Sequence, residues 1–253
     1  LIGIGSRLLV RHTLNRVDRI VLRDAASAQF LASLGVARPT AVTADPVFAL
    51  DVAALADREA AHAVLRQAGL EPGCGPLALV SLRDLPGDAR GRQPKLERAA
   101  AALARALAAR GWQVFGLPLQ WPQDVAVLRR AGSLTLPGRA LDLREILGLF
   151  SLADLAVGMR LHALIFAALF ARPLVGISYD PKVAAFLEQI GGPGLRPEDL
   201  TGEALLAAAT GAWERRVRWA EELPPRLEPL RSQASRTADY LYELLEGNPV
   251  ADA

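Results

Sequence analysis

Cysteine, lysine and long apolar runs are what this sequence of 253 residues has least of. A lone cysteine, Cys74, cannot close an internal disulfide, and the three histidines, His12, His62 and His162, share no zinc-ligand spacing with it. A disulfide scaffold and a structural zinc fold are excluded, and a reducing, cytoplasmic setting is expected. The longest apolar run, Ala163–Ala171, falls far short of the roughly 20 residues that a spanning helix needs, and Arg172-Pro173 closes it. No secretory signal is read at the start, where Leu1-Ile2-Gly3-Ile4-Gly5 gives way to charged residues without a cleavage pattern. Charge of one sign is scarce too. With 29 Lys and Arg against 27 Asp and Glu, and no block of five like charges, no nucleic-acid partner is expected.

What is present suits a folded protein. A 51% apolar share can fill a core, which excludes wholesale disorder and fibrous architectures. Lysine occurs only at Lys95 and Lys182; the other 27 basic residues are arginine. A compact ammonium set against that background marks a place where a planar fork does not serve.

Short β-like runs alternate with helical periodicity, which predicts an α/β fold with parallel sheets and crossover helices. Strands are expected at about Leu1–Gly5, Arg19–Leu22, Thr40–Thr43, Leu77–Leu82, Gln113–Leu117, Ser133–Leu136, Asp154–Val157 and Leu174–Ile177. Helical patterns lie between them, clearest at Arg98–Arg110, where Leu103 and Leu107 recur before Gly111. The Gly- and Pro-rich stretch Ala68–Pro76 is the expected linker. It divides the chain into residues 1–70, the C-terminal part of a first Rossmann-like domain, and 71–210, a second such domain; residues 211–253 are expected to form helices packing back on them. In that tail two helices broken at Pro224-Pro225 are expected. The first segment holds too few βα units to cover a parallel sheet on both faces, and the chain opens on Leu in the middle of a pattern, so the first domain is expected to be incomplete.

In open parallel sheets ligands bind outside the carboxyl ends of the strands. Arg23-Asp24, Arg83-Asp84 and Gln120 with Asp124 follow three of the expected strands, Asp124 serving equally well as a plain loop residue. Two strand ends are richer. Gly158-Met159-Arg160-Leu161-His162 puts two side-chain donors at the start of an apolar helix, where the helix dipole favours an anion. Ser178-Tyr179-Asp180-Pro181-Lys182 leads into a helix with Pro in its first turn, and Lys182 there opposes the dipole unless a phosphate or carboxylate offsets it. No P-loop, serine elbow or metal-holding aspartate cluster is found, and Gly3-Ile4-Gly5 lacks the rest of a dinucleotide fingerprint. No cofactor or metal is expected.

The stretch Gly158–Lys182, GMRLHALIFAALFARPLVGISYDPK, resembles the polysaccharide pyruvyl transferase family, in the branch that acts on bacterial cell-wall polymers. VDRIVLRDAASAQFLASLGV, Ala44-Asp45-Pro46 and Ser81-Leu82-Arg83 extend the resemblance over most of the chain. It implies two facing Rossmann-like domains in a GT-B-like arrangement, with the cleft between them as active site. It also implies a donor, phosphoenolpyruvate, and an acceptor sugar, N-acetylmannosamine, in a cell-wall or lipid-linked glycan to which S-layer proteins dock; the expected location is the cytoplasm, with attachment to the inner face of the membrane left open. The resemblance carries Arg23, Arg160, His162 and Lys182 over as binding residues, joined at the same strand ends by Leu161, Arg83, Ser178 and Tyr179. Arg160, His162 and Lys182 form the catalytic set, with His162 as general acid, since histidine's ordinary pKa of about 6.5 suits proton donation near neutrality. Two other classes stand beside it: a GT-B-like nucleotide-sugar glycosyltransferase or epimerase, and a scaffold module in which the basic residues need not converge. The oligomeric state is left open.

Overall fold

A computed structural model describes residues 3–85, 87 and 91–246. Helix α1 (Ile4–Leu14), strand β1 (Ile20–Leu22), helix α2 (Ala25–Ser33) and strand β2 (Thr40–Val42) come first, followed by a 3-10 turn at Pro46–Ala49 and the short helix α3 (Val52–Leu55). Then follow α4 (Arg58–Gln67), β3 (Leu77–Ser81), α5 (Arg92–Ala108), β4 (Gln113–Gly116), α6 (Gln123–Ala131), α7 (Leu143–Leu152), β5 (Leu155–Gly158), α8 (Leu161–Leu169), β6 (Leu174–Ile177), α9 (Pro181–Ile190), β7 (Gly194–Leu195), α10 (Gly202–Glu214) and α11 (Arg216–Leu245).

These elements form two compact units. The smaller comprises the residues up to Leu50 together with those from Pro225 onward, and the larger runs from Asp51 to Pro224. This division differs from the one expected at 70/71, and Ala68–Pro76 lies inside the larger unit. The reason is local. Helix α4 packs along α7, and Gly148 of α7 is what permits it: a Cβ there would sit 2.1 Å from the Asp57 carbonyl oxygen.

In the larger unit a five-stranded parallel sheet has the order β4-β3-β5-β6-β7. Its inner strands are buried on both faces, which is why they read as unbroken apolar runs. Ala78, Val80, Val157, Val175 and Ile177 pack on one face with Leu103 of α5, Leu128 of α6 and Leu205 of α10. Helix α8 is buried nearly all round, as a helix that is apolar on every side must be, and each fully buried leucine there contributes about 1.5–3 kcal/mol. Only its first residues reach the surface. At Gly176 of β6 a Cβ would come 2.3 Å from Leu187 Cδ1, so the glycine seats α9 close to the sheet.

The smaller unit has a two-stranded parallel sheet, with Ile20, Leu34 and Val36 as a buried cluster. The structure corrects three expectations. Ile4 and Gly5 open α1 rather than closing a strand, while Leu1 and Ile2 lie outside the described residues. At Ser133–Leu136 there is only an isolated bridge between Phe115 and Thr135, because Gly132 and Ser133 both take positive φ and Pro137 follows. The tail does not break at Pro224-Pro225: α11 runs through both, carried by a stripe of buried Leu223, Leu227, Leu230 and Ala234 at helical spacing. That stripe offsets the backbone bonds the prolines cannot donate. Residues 247–253 of the expected tail lie outside the described residues. The tail's aromatics dock on protein: Trp213 meets Trp112 edge-on with ring centres 4.9 Å apart, and Trp219 Nε1 donates to the Arg172 carbonyl at 3.0 Å. No helix is long and apolar enough to cross a membrane among the described residues.

Candidate functional site

The carboxyl edge of the larger sheet gathers seven of the eight residues that sequence singles out. β5 and β6 are neighbours, so their ends lie about 5 Å apart, and each feeds directly into a helix. From β5 the chain passes Gly158-Met159 to Arg160, the N-cap of α8, followed by Leu161 and the exposed His162 in the first turn. No side chain caps α8, which leaves backbone donors of its first turn aimed outward at the positive end of the dipole. The His162 ring lies 6.2 Å from Phe166, which in turn packs 5.7 Å from Phe150 of α7, so an aromatic row underlies the imidazole.

From β6 the chain passes Ser178, Tyr179 and Asp180 to α9. Ser178 N–H donates to the Leu195 carbonyl at 2.8 Å, so the small edge strand β7, which the sequence does not announce, fixes this loop. Asp180 caps α9 by accepting the Lys182 backbone N–H at 2.8 Å, and Pro181 occupies the first turn as expected. The Lys182 side chain is exposed, and among the described residues its ammonium has no partner. Tyr179 is tied elsewhere: its hydroxyl accepts from Arg83 Nη1 at 3.0 Å while the guanidinium lies over the ring. Arg83, just beyond β3, therefore braces the loop after β6.

Arg160 is held hardest. Its Nε donates to Asp124 Oδ2 at 3.0 Å, its Nη2 pairs with Asp124 Oδ1, and Nη2 also donates to Gln120 Oε1 at 2.8 Å. Asp124 is only 1% exposed and further accepts the backbone N–H groups of Gln120 at 2.9 Å and Leu119 at 3.2 Å. Sequence places Gln120 and Asp124 after a strand without marking them as site residues; an acid four residues beyond a glutamine at a strand end was the available signal. Ser81, the last residue of β3 and in register with Gly158, is buried with its Oγ lacking a hydrogen-bond partner.

Arg23 is the eighth residue and belongs to the smaller unit, just past β1. Its Nη1 pairs with Asp45 Oδ2 at 2.9 Å, and its Nε lies 3.7 Å from Asp24 Oδ2. Asp24 caps α2 through the Ser27 N–H, and Asp45 accepts the Val47 N–H at the 3-10 turn, which accounts for Ala44-Asp45-Pro46 as local structure. Among the described residues no group of three or more His, Cys, Asp or Glu side chains could hold a metal ion.

Parallel sheets, crossover helices and polar strand ends define a Rossmann-like α/β protein, and solved GT-B glycosyltransferases share that fold. A glycosyltransferase involved in lipopolysaccharide biosynthesis is 17% identical, covering 87% of this chain and 61% of its own, with a TM-score of 0.56. A glycosyltransferase from Rickettsia africae is 12% identical over 98% of this chain and 69% of its own, with a TM-score of 0.60. A trehalose-6-phosphate synthase is 14% identical over 95% and 64%, with a TM-score of 0.61. At such identities the likeness is one of fold alone. The chain spans less than two thirds of the length of the first of these. A search of the curated proteins finds no match. The polysaccharide pyruvyl transferase family model matches residues 2–181, and the chain belongs to that family. Its members are transferases.

Proposed function

We propose that the complete protein transfers a pyruvyl group from phosphoenolpyruvate to two hydroxyls of one sugar in a cell-wall polysaccharide, N-acetylmannosamine by the family resemblance, closing a pyruvate ketal. The observation that carries this reading is that two adjacent strand ends lead into an unpartnered Lys182 ammonium on one side and the exposed His162 with the uncapped start of α8 on the other. A small molecule bearing one carboxylate and one phosphate suits such a mixture: a point charge for one group, and a fork and backbone donors for the other.

The chemistry follows from the donor. His162 delivers a proton to the terminal methylene carbon, which becomes a methyl group, and positive charge develops at the adjacent carbon. One sugar hydroxyl attacks there and loses its proton. A second hydroxyl then displaces the phosphate, which leaves with the bridging oxygen. The balance is one phosphoenolpyruvate and one diol giving one ketal and one inorganic phosphate. Cations cannot stabilise the positive carbon, so Lys182 and Arg160 act by orienting the donor and by stabilising the departing phosphate. No cofactor enters this scheme. Phosphoenolpyruvate as donor places the reaction in the cytoplasm, at the membrane face if the glycan is lipid-linked.

The test is phosphate release by the full-length protein supplied with phosphoenolpyruvate and a mannosamine-containing glycan. Release that needs both substrates is expected; turnover only with a nucleotide sugar overturns the reading. His162→Ala should lower kcat far more than it raises the donor KM. The reverse pattern reassigns the imidazole to binding.

A further inference from the structure

We propose that Asp124, with Gln120, is a positioning residue that presents Arg160 to the anionic donor as a fixed fork with one open edge; this rests on the donor reading above. Three features of the geometry lead there. First, the carboxylate is 1% exposed, yet its partners are one cation and two backbone N–H groups, all from the edge of the site. Burying a carboxylate is costly unless it is paired and hydrogen-bonded, and both conditions are met here by groups that line the strand ends. Second, the bonds consume one side of the guanidinium. Nε and Nη2 are occupied by Asp124 and Gln120, while Nη1 has no partner among the described residues and the side chain remains 18% exposed. Third, the pair links non-adjacent strands: Asp124 and Gln120 follow β4, Arg160 follows β5, and β3 lies between them in the sheet. A flexible arginine reaching across a neighbouring strand end would lose its rotamer freedom on binding an anion; here that freedom is already given up in the folded protein.

A second reading of Asp124 predicts the opposite sign. A buried carboxylate beside the site also lowers the local positive potential. If it acted only through its charge, neutralising it would draw the phosphoenolpyruvate in more tightly. If it acts by position, the same change weakens donor recognition although the site becomes more positive.

The experiment is Asp124→Asn in the full-length protein, read as kcat and donor KM, with thermal unfolding to show that the variant is folded. The expected result is a loss of roughly ten- to a hundredfold in kcat/KM for phosphoenolpyruvate, the scale on which a misplaced binding group acts. That loss should vanish when Asp124→Asn is made in an Arg160→Ala background, because the effect passes through Arg160. An efficiency at or above wild type, or an equal loss in the Arg160→Ala background, overturns the proposal. Gln120→Ala, at an exposed position, keeps the question open to test if Asp124→Asn does not fold: a smaller loss, again absent without Arg160, is expected, and no loss counts against it. If the wild-type protein does not turn over phosphoenolpyruvate, the donor reading fails by itself, and binding of inorganic phosphate decides the positioning claim. Weaker binding in Asp124→Asn supports it, and unchanged binding overturns it.

Discussion

Lys182 is an ammonium where the rest of the chain would use a guanidinium, and its exposure means that folding does not require it. Lys182→Arg keeps the charge but replaces a compact, rotatable donor with a wider planar one. The expected outcome is an unchanged melting temperature with kcat/KM for phosphoenolpyruvate lowered by roughly a hundredfold, the low end of what losing one oxyanion contact costs. Wild-type turnover in that variant would show that any cation suffices there. Most of the candidate site could be proposed from residue order alone, because strand-end loops of a parallel sheet are where ligands bind and polar residues at those points stand out. Asp124 carries less local signal than Arg160. Its contact with Arg160 spans 36 residues of sequence, and nothing local distinguishes such an acid from a loop carboxylate.

Helix α7 shows how sequence fixes an element and where pH loosens it. Asp142 accepts the Glu145 N–H and Glu145 accepts the Asp142 N–H, each at 2.9 Å, while Arg139 grips the same carboxylate. The hydrogen bond from Arg139 holds the Glu145 carboxyl below its ordinary range. A carboxyl lowered in the folded state stabilises it above the unfolded value, and that stability is lost as pH falls through the lowered one. Glu145→Gln should therefore cost about 1 kcal/mol near neutrality, limited by the exposure of Arg139, and the gap to wild type should close as the solution is acidified below the ordinary carboxylate range. A gap that stays constant down to that acidity, measured by denaturant unfolding, would contradict the assignment. Gly148→Ala tests the neighbouring contact. The new methyl meets backbone rather than a side-chain tip, so a loss of about 1–3 kcal/mol or more is expected from overpacking, against a gain in helix propensity of about 1 kcal/mol. Element boundaries were legible where local signals mark them, as at Pro181 in the first turn of α9. They were not legible where packing overrides local preference: the prolines inside α11, and the two-residue edge strand β7, too short to carry a periodicity.

At the scale of the whole molecule the two units differ in how much sheet they bury. β1 and β2 are three residues each and largely half-exposed, whereas β3, β5 and β6 are buried throughout. Hydrogen exchange followed by mass spectrometry should find the amides of β3, β5 and β6 protected longest and those of β1 and β2 exchanging through smaller openings. Equal protection across both sheets would count against that ranking. The parallel α/β class was legible because buried strands and crossover helices leave distinct periodicities. The division of the chain was not, since it depends on α4 finding α7 nearly a hundred residues downstream, as the Arg58 contact with Ser151 illustrates.

The scarcity of lysine also gives the experimenter a handle. Of the two side-chain amines, Lys95 donates to the Glu198 carbonyl and Lys182 points into solvent without a partner among the described residues. An acylating reagent directed at amines would thus have two side chains to mark, and shielding of Lys182 but not of Lys95 by a bound anion would report occupancy of the strand-end site by peptide mass measurement, with no need for turnover.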